Sequence, residues 1–236
     1  MTPPAQPIHP GRDALDAFVE RVAVSGMTPL GGPHAYDDSR ARGYRASAVL
    51  ALFTPTDRRS AATNGVRDAV DLFLVQRSPL LRQHPGQIAL PGGGVEPGET
   101  DVEAALREAH EEIGLAPQYV DVLTELDKVL VPVSGYVVTP VLGWTDTPEA
   151  VADVTPGEVL HTLRVPVAHL LDPVNRATVT IAGHRSAGFE LVSGWVWGFT
   201  GNVLDHLFDE LGWSRPWRRD RTHAMSVEDA RGGRLL

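Results

Sequence analysis

Residues 98–115, G-E-T-D-V-E-A-A-L-R-E-A-H-E-E-I-G-L, constrain this chain more than any other stretch. Thr100 followed by Glu103 has the form of a capping box, in which each side chain satisfies a free backbone N–H at a helix start. Gly114 stands where a left-handed C-terminal cap belongs, so a single helix is predicted between the two. At 3.6 residues per turn, Arg107, Glu111, Glu108 and Glu112 fall within an arc of about 140°. Val102, Ala105, Leu106, Ala109 and Ile113 take the opposite side. The helix is therefore expected to bury one face and display three carboxylates and a guanidinium on the other. Like charges at i, i+3 and i+4 are unfavourable. Two carboxylates about 4 Å apart repel by roughly 4 kcal/mol at an effective dielectric near 20. Arg107 offsets part of that repulsion, and a hard divalent cation with oxygen ligands would offset the rest. The plain alternative is a solvated acidic face; the Leu90-Pro91-Gly92-Gly93-Gly94 turn just upstream weighs against it.

Around this helix, apolar periodicities of both kinds occur in no βαβ order. Residues 13–24 have helical spacing through Leu15, Phe18, Val19 and Val22. Residues 47–53 and 69–76 read as compact apolar strands, with a polar surface loop over 57–67 between them. Residues 120–131 and 136–144 read as a hairpin about Ser134-Gly135, residues 159–165 and 178–181 as short strands, and 196–211 as a helix. That mixture predicts α+β layers. Three segments are expected: 1–44, a loose proline-rich arm over 1–11 and then a helix; 45–213, the main domain; and 214–236, a charged tail that frays for want of apolar periodicity.

Composition excludes several chemistries. The formal net charge is −9, so a nucleic-acid backbone is a poor partner. There is no cysteine, which removes disulfides, thiolate catalysis and thiolate metal sites together. Apolar runs such as residues 46–53 are too short to span a bilayer, and the proline-rich start lacks the apolar core of a signal peptide. A cytoplasmic protein that touches neither membrane nor nucleic acid is the simplest expectation.

Gly93, Glu99, the pair Arg107-Glu108, the pair Glu111-Glu112, Gly114 and Leu115 stand at spacings that match the Nudix box in full. The chain thus resembles the Nudix hydrolases. The resemblance implies a mixed β-sheet sandwiched between α-helices, and hydrolysis of a phosphoanhydride bond with Mg²⁺ or Mn²⁺. It implies Glu108, Glu111, Glu112 and the Gly93 carbonyl as metal ligands, Glu111 and Arg107 as catalytic groups, and Arg107 and Glu99 as supports that orient the ligands.

Upstream, residues 73–93 read F-L-V-Q-R-S-P-L-L-R-Q-H-P-G-Q-I-A-L-P-G-G. Arg77, Ser78, Arg82, Gly86 and Pro91-Gly92-Gly93 stand at the spacings of the additional signature of the coenzyme A pyrophosphohydrolase branch. Phe73, Val75 and Leu90 depart from it, standing where that branch has Leu, Thr and Phe. Residues 165–167, 170–173 and 197–200 are similar to the branch as well. The small-molecule substrate implied is coenzyme A or a derivative, cut to 3′,5′-ADP and a 4′-phosphopantetheine. Arg77, Ser78 and Arg82 would then face substrate, since arginine's planar fork suits phosphate oxygens. Ordinary ion-pair roles are the alternative for the two arginines. Glu158 resembles the glutamate that this branch carries before a strand and is the candidate general base; the alternative is an exposed loop carboxylate. His84, His161 and His184 have no zinc spacing and read as satisfied histidines, and the tryptophans read mostly as core. Two other functions stand beside the leading one: a Nudix hydrolase of ADP-ribose or NADH, and a non-catalytic Nudix-like binding module. Glu108, Glu111 and Glu112 are all present, which weighs against the latter. A homodimer is compatible with the sequence, which leaves the oligomeric state open.

Overall fold

The computed structural model describes residues 9–56, 65–81, 84–151 and 159–230. In chain order these form helix α1 (Pro10–Ser25), the single turn α2 (Asp38–Ala41), strands β1 (Arg45–Pro55), β2 (Val70–Arg77), β3 (Ile88–Ala89) and β4 (Gly92–Gly94), and helix α3 (Asp101–Ile113). Strands β5 (Asp121–Glu125), β6 (Val129–Val131), β7 (Tyr136–Trp144) and β8 (Val159–Pro166) follow, then helix α4 (Val167–Leu171). The remainder is β9 (Arg176–Ile181), β10 (His184–Leu191), β11 (Gly194–Val196), helix α5 (Gly198–Glu210), β12 (Thr222–Ala224) and α6 (Val227–Ala230).

The near-continuous apolar run of β1 has a cause in its position. Successive side chains on a strand point to opposite faces, and both faces of β1 are covered. Ala48, Leu50 and Leu52 pack with Phe73 and Val75 of β2 beneath Ala104, Ala105, Ala109 and Ile113 of α3. Ala51 and Phe53 pack on the other side with Leu72 and Leu74, against Leu15 and Phe18 of α1 and Val203, Leu204, Leu207 and Phe208 of α5. Each large side chain so buried contributes about 1.5–3 kcal/mol of transfer free energy. The result is a sheet with helices on both sides.

The sheet is mixed. β1 runs parallel to β7 in an unbroken register from Arg45↔Tyr136 to Phe53↔Trp144. The same strand pairs antiparallel with β4 through Ser47–Val49 and with β2 through Phe53–Pro55. The strand order is β12-β9-β10-β11-β3-β2-β1-β7-β5, with β4 on β1, β6 on β7 and β8 on β2. The α+β architecture expected from the sequence is the one observed.

Several local expectations change. Pro10 and Gly11 belong to α1 rather than to a loose arm; proline's fixed φ suits a first helical turn, and the His9 ring accepts from Gly11 N at 3.2 Å. The strand expected over 120–131 is broken into β5 and β6, which pair with different parts of β7. Val196 ends a strand, and helix α5 starts only at Gly198. The loop expected over 57–67 lies mostly outside the described residues, and Val66–Ala69 forms a 3₁₀ turn.

The largest correction concerns the tail. Residues 214–230 dock onto the sheet instead of fraying: β12 pairs parallel with β9, Thr222↔Thr178 through Ala224↔Thr180. Their anchor is Arg176 of β9, which is fully buried, pairs with Asp205 of α5, and has Phe189 and Trp217 rings at 4.0 and 4.5 Å. Arg219 stacks on Trp217 at 4.7 Å and reaches Asp205 at 3.2 Å. A buried charge must be paired to be tolerated; Asp205 supplies the counter-charge and the tail adds the Trp217 face. A polar and aromatic anchor of this kind leaves no apolar periodicity to read. Among the described residues, no helix is long and apolar enough to cross a membrane.

Candidate active site

Helix α3 forms as its caps dictate. Thr100 Oγ1 accepts from Glu103 N at 3.2 Å while Glu103 Oε2 accepts from Thr100 N at 2.8 Å, and Gly114 takes a left-handed φ of 69°. Its first turn is pinned to the strands, since Asp101 accepts from Thr139 Oγ1 at 2.6 Å and pairs with Lys128 at 3.1 Å. The apolar face lies on β1 and β2, which turns the acidic arc toward the glycine turn that ends in β4.

The three box carboxylates are not equivalent, contrary to a simple exposed acidic face. Side-chain exposure is 58% for Glu111, 16% for Glu108 and only 4% for Glu112. The helical wheel explains the last value: Glu112 sits about 20° from buried Ala105, at the edge of the apolar face. Its cost is met by partners. Glu112 Oε2 accepts from Gly92 N at 2.9 Å, and Oε1 lies 3.5 Å from Arg77 Nη1.

Arg107 organises the exposed side. Its Nε and Nη2 donate to the two oxygens of Glu99 at 2.8 and 3.1 Å, in the bidentate geometry that arginine favours. Nη1 donates to Glu108 Oε1 at 2.8 Å and lies 3.6 Å from Glu111, and Nη2 also donates to Gly94 O at 2.9 Å. The hydrogen bonds it donates to Glu99 and then to Glu108 raise the Arg107 pKa above its ordinary value. The bond from Arg107, followed by that from Glu96 N, holds Glu99 below the usual carboxylate range.

The glycines of the turn are required by close approach. Gly92 has φ 155°, and a Cβ there would lie 2.3 Å from Ala48 O. A Cβ on Gly93 would lie 2.3 Å from Glu108 Oε1, so this carboxylate rests directly over the Gly93 backbone. The Gly93 carbonyl accepts from Ser47 Oγ at 2.5 Å, a partner that no sequence signal marked.

Among the described residues no three carboxylate or imidazole side chains already converge on one point. Glu108 is turned to Arg107 and Glu112 to the Gly92 amide. The donor set nevertheless fits a hard cation: carboxylates and a carbonyl, all oxygen, with the Glu108 carboxylate seated in a cradle that only glycine leaves open.

Arg77 and Ser78 stand at the end of β2, where the β2–β8 register shifts between Gln76 and Arg77. Ser78 is buried and its Oγ accepts from Leu80 N at 3.3 Å. The Glu112 partner of Arg77 was not visible in the sequence, because the two residues are distant in the chain. Gly93, Glu99, Arg107, Glu108 and Glu111 thus form one set of contacts and Arg77, Glu112 and Gly92 a second, joined through the Gly92-Gly93 backbone, with Ser78 adjoining Arg77 in the chain. Arg82 and Glu158 lie outside the described residues. His84 hydrogen-bonds Gln87, whereas His161 and His184 lie on strands β8 and β10.

Comparison with known proteins yields one family. The NUDIX domain matches residues 56–177. A Klebsiella pneumoniae protein named uncharacterized Nudix hydrolase NudL is 36% identical over 208 residues, which cover 86% of this chain and 96% of that protein. A protein of the same name from Salmonella newport is 36% identical over 149 residues, covering 60% of this chain and 75% of its own. Among solved structures, the Nudix hydrolase RenU from M. smegmatis is 27% identical over 52% of this chain and 71% of that one, with a TM-score of 0.40.

Proposed function

The chain belongs to the NUDIX domain family, and from that premise we propose that it hydrolyses the pyrophosphate of coenzyme A or an acyl derivative, giving 3′,5′-ADP and a 4′-phosphopantetheine. The observation that carries the hydrolase reading is the carboxylate set of α3 held over the Gly92-Gly93 backbone by Arg107. The coenzyme A reading is supported by the signature in residues 73–93, whose two ends meet at Glu112: Arg77 on one side and the Gly92 amide on the other.

Glu108, Glu111, Glu112 and the Gly93 carbonyl would hold Mg²⁺ or Mn²⁺, which when bound polarises the pyrophosphate and lowers the pKa of a water. The protein's own groups do the rest. Arg107 holds Glu108 and Glu99 beside the glycine turn, so that Glu108 has only to turn from that guanidinium to meet a cation. Arg77 compensates the charge of buried Glu112. Ser78 and Arg82 serve the substrate's phosphates. Glu158 takes the proton from a water whose oxygen forms the new bond to phosphorus, as the bridging P–O bond breaks and its electron pair leaves with the other phosphate.

Turnover of coenzyme A, acetyl-coenzyme A, ADP-ribose and NADH at equal concentration, with product identification, tests the proposal. The expected result is 3′,5′-ADP from coenzyme A in the presence of Mg²⁺ or Mn²⁺ and none with chelator. A preference for ADP-ribose or NADH would overturn the substrate, and inertness toward all four would overturn the hydrolase.

A further inference from the structure

Gln87 lies within the 73–93 signature but at one of its unspecified positions, and its contacts reach further than those of its neighbours. Its main-chain carbonyl accepts from Arg77 N at 2.9 Å, which closes the loop between β2 and β3. Its amide nitrogen donates to Ala230 O at 3.0 Å, in the docked tail. Its amide oxygen meets the His84 ring at 3.0 Å, and its own N–H donates to His84 O at 3.3 Å. His84 has φ 54°, a conformation costly for a residue with a side chain. The turn it forms is thus held by Gln87, and Gln87 is held by the tail.

The tail's last described turn is seated independently. Ser226 caps α6 by accepting from Asp229 N at 2.9 Å, Met225 N donates to Thr180 O at 2.9 Å, and Ala230 is buried. His223 stacks on Trp195 at 4.3 Å, next to Val196, which pairs with Ile88 immediately after Gln87. A continuous series of contacts therefore runs from Ala230 through Gln87 and Arg77 to Glu112 and the Gly92 amide.

We propose that Gln87 is a positioning residue through which the C-terminal segment holds the His84–Gln87 turn and the backbone of Arg77 in place, and hence sets the affinity of the site for substrate. The proposal rests on the reading of the 73–93 signature as substrate-facing. The segment acts on binding rather than on the chemical step, because it touches the turn directly and reaches Glu112 only through Arg77.

Three variants of the full chain are compared with the wild type: Gln87→Met, which keeps the volume and removes both amide bonds; deletion of residues 226–236, which leaves β12; and the two combined. Each is first checked by circular dichroism. Expected on coenzyme A with Mg²⁺ is a KM about tenfold higher in each variant, as for loss of one or two hydrogen bonds, with kcat within about twofold. The double variant should be no worse than Gln87→Met, since coupled sites are non-additive. Amide exchange at Arg77 and Gln87, measured without metal or substrate, should rise in all three. Unchanged KM, a kcat loss at constant KM, or additive effects would each overturn the proposal. If no variant and no wild type turns over any pyrophosphate, the functional reading fails on its own; faster exchange then still sustains the coupling, and unchanged exchange still overturns it.

Discussion

The α3 site and the tail anchor both place an ionisable side chain almost out of solvent, and they resolve it in opposite ways. At α3 the buried group is Glu112, whose partners include the Gly92 N–H and the Arg77 guanidinium. Among the described residues, ion pairs at this site join Glu99, Glu108, Glu111 and Glu112 to Arg107 and Arg77, four carboxylates to two guanidiniums, a balance of −2. At the tail the buried group is Arg176, with Asp205 and Asp209 against Arg176 and Arg219, a balance of zero. The tail anchor is balanced in charge, with the Phe189 and Trp217 faces at the guanidinium, although Arg176 Nε and Nη1 are buried without a hydrogen-bond partner among the described residues. Among the described residues the α3 site carries surplus negative charge, which costs stability and suits a hard cation. The difference separates a site from a clasp more clearly than the number of charges does.

The largest effect should come from removing part of the surplus. Glu111→Gln touches an exposed side chain, so the melting temperature of the metal-free protein should stay level or rise slightly as repulsion falls. The rate should drop at least about a hundredfold, a loss of roughly 2.7 kcal/mol of transition-state stabilisation. Retention of more than about a tenth of the activity, under 1.4 kcal/mol, would remove Glu111 from the ligand set.

At the clasp the expectation inverts. Trp217→Ala should lower stability by about 2 kcal/mol or more, the strength of one desolvated cation–π contact plus lost packing, while kcat at 25 °C stays near that of the wild type. Urea midpoints and steady-state rates measure the two sides. A stable variant with impaired kcat would make the tail part of the chemistry.

What was legible follows from the range of each interaction. Capping, helical phase and the glycine turn are local, so α3 and its acidic arc could be read from residues 93–115 alone. The two-sided burial of β1 was legible because apolar runs report it directly. The burial of Glu112 was half legible: its phase lies beside Ala105, but its partner Arg77 is 35 positions away. The tail was misread because its anchor joins Trp217, Arg176, Phe189 and Asp205 from separate elements, and no window of sequence contains such a set. Strands β10 and β11 were missed for a related reason. His184–Leu191 shows little alternation, and Gly188 is there because a Cβ would lie 2.4 Å from the Val179 side chain of β9.

Arg77 offers a sharper test of where the site's charge balance ends. Engaged with Glu112, it should serve every pyrophosphate substrate alike. Arg77→Ala should therefore lower kcat/KM about tenfold on coenzyme A and equally on its analogue lacking the 3′-phosphate, the scale typical for residues that orient metal ligands. Direct titration with Mn²⁺ should show weaker binding in the variant. A loss confined to coenzyme A, with metal affinity unchanged, would return Arg77 to the 3′-phosphate and leave Glu112 to the Gly92 amide.

The smallest expected effect is on acid stability, and it tests whether Arg107 and Glu99 form a working unit. Glu99 is held below its ordinary pKa of 4.5 by the Arg107 hydrogen bond first and the Glu96 amide second. A carboxylate whose folded value is depressed adds stability above its unfolded pKa, and that stability is lost as pH falls through the folded value. Glu99→Gln removes this contribution at all pH values. The wild type should accordingly melt higher than Glu99→Gln near neutrality, and the gap should narrow as pH drops below about 4.5. Trp217→Ala changes no titrating group, so its gap from the wild type should not follow the same curve. Metal-free buffer of moderate ionic strength is required, since a bound cation would add its own pH dependence and dilute buffer would exaggerate an exposed pair. A gap between wild type and Glu99→Gln that stays constant through the acid range would mean that Arg107 is positioned by Glu108 and the Gly94 carbonyl alone, and that Glu99 is a bystander.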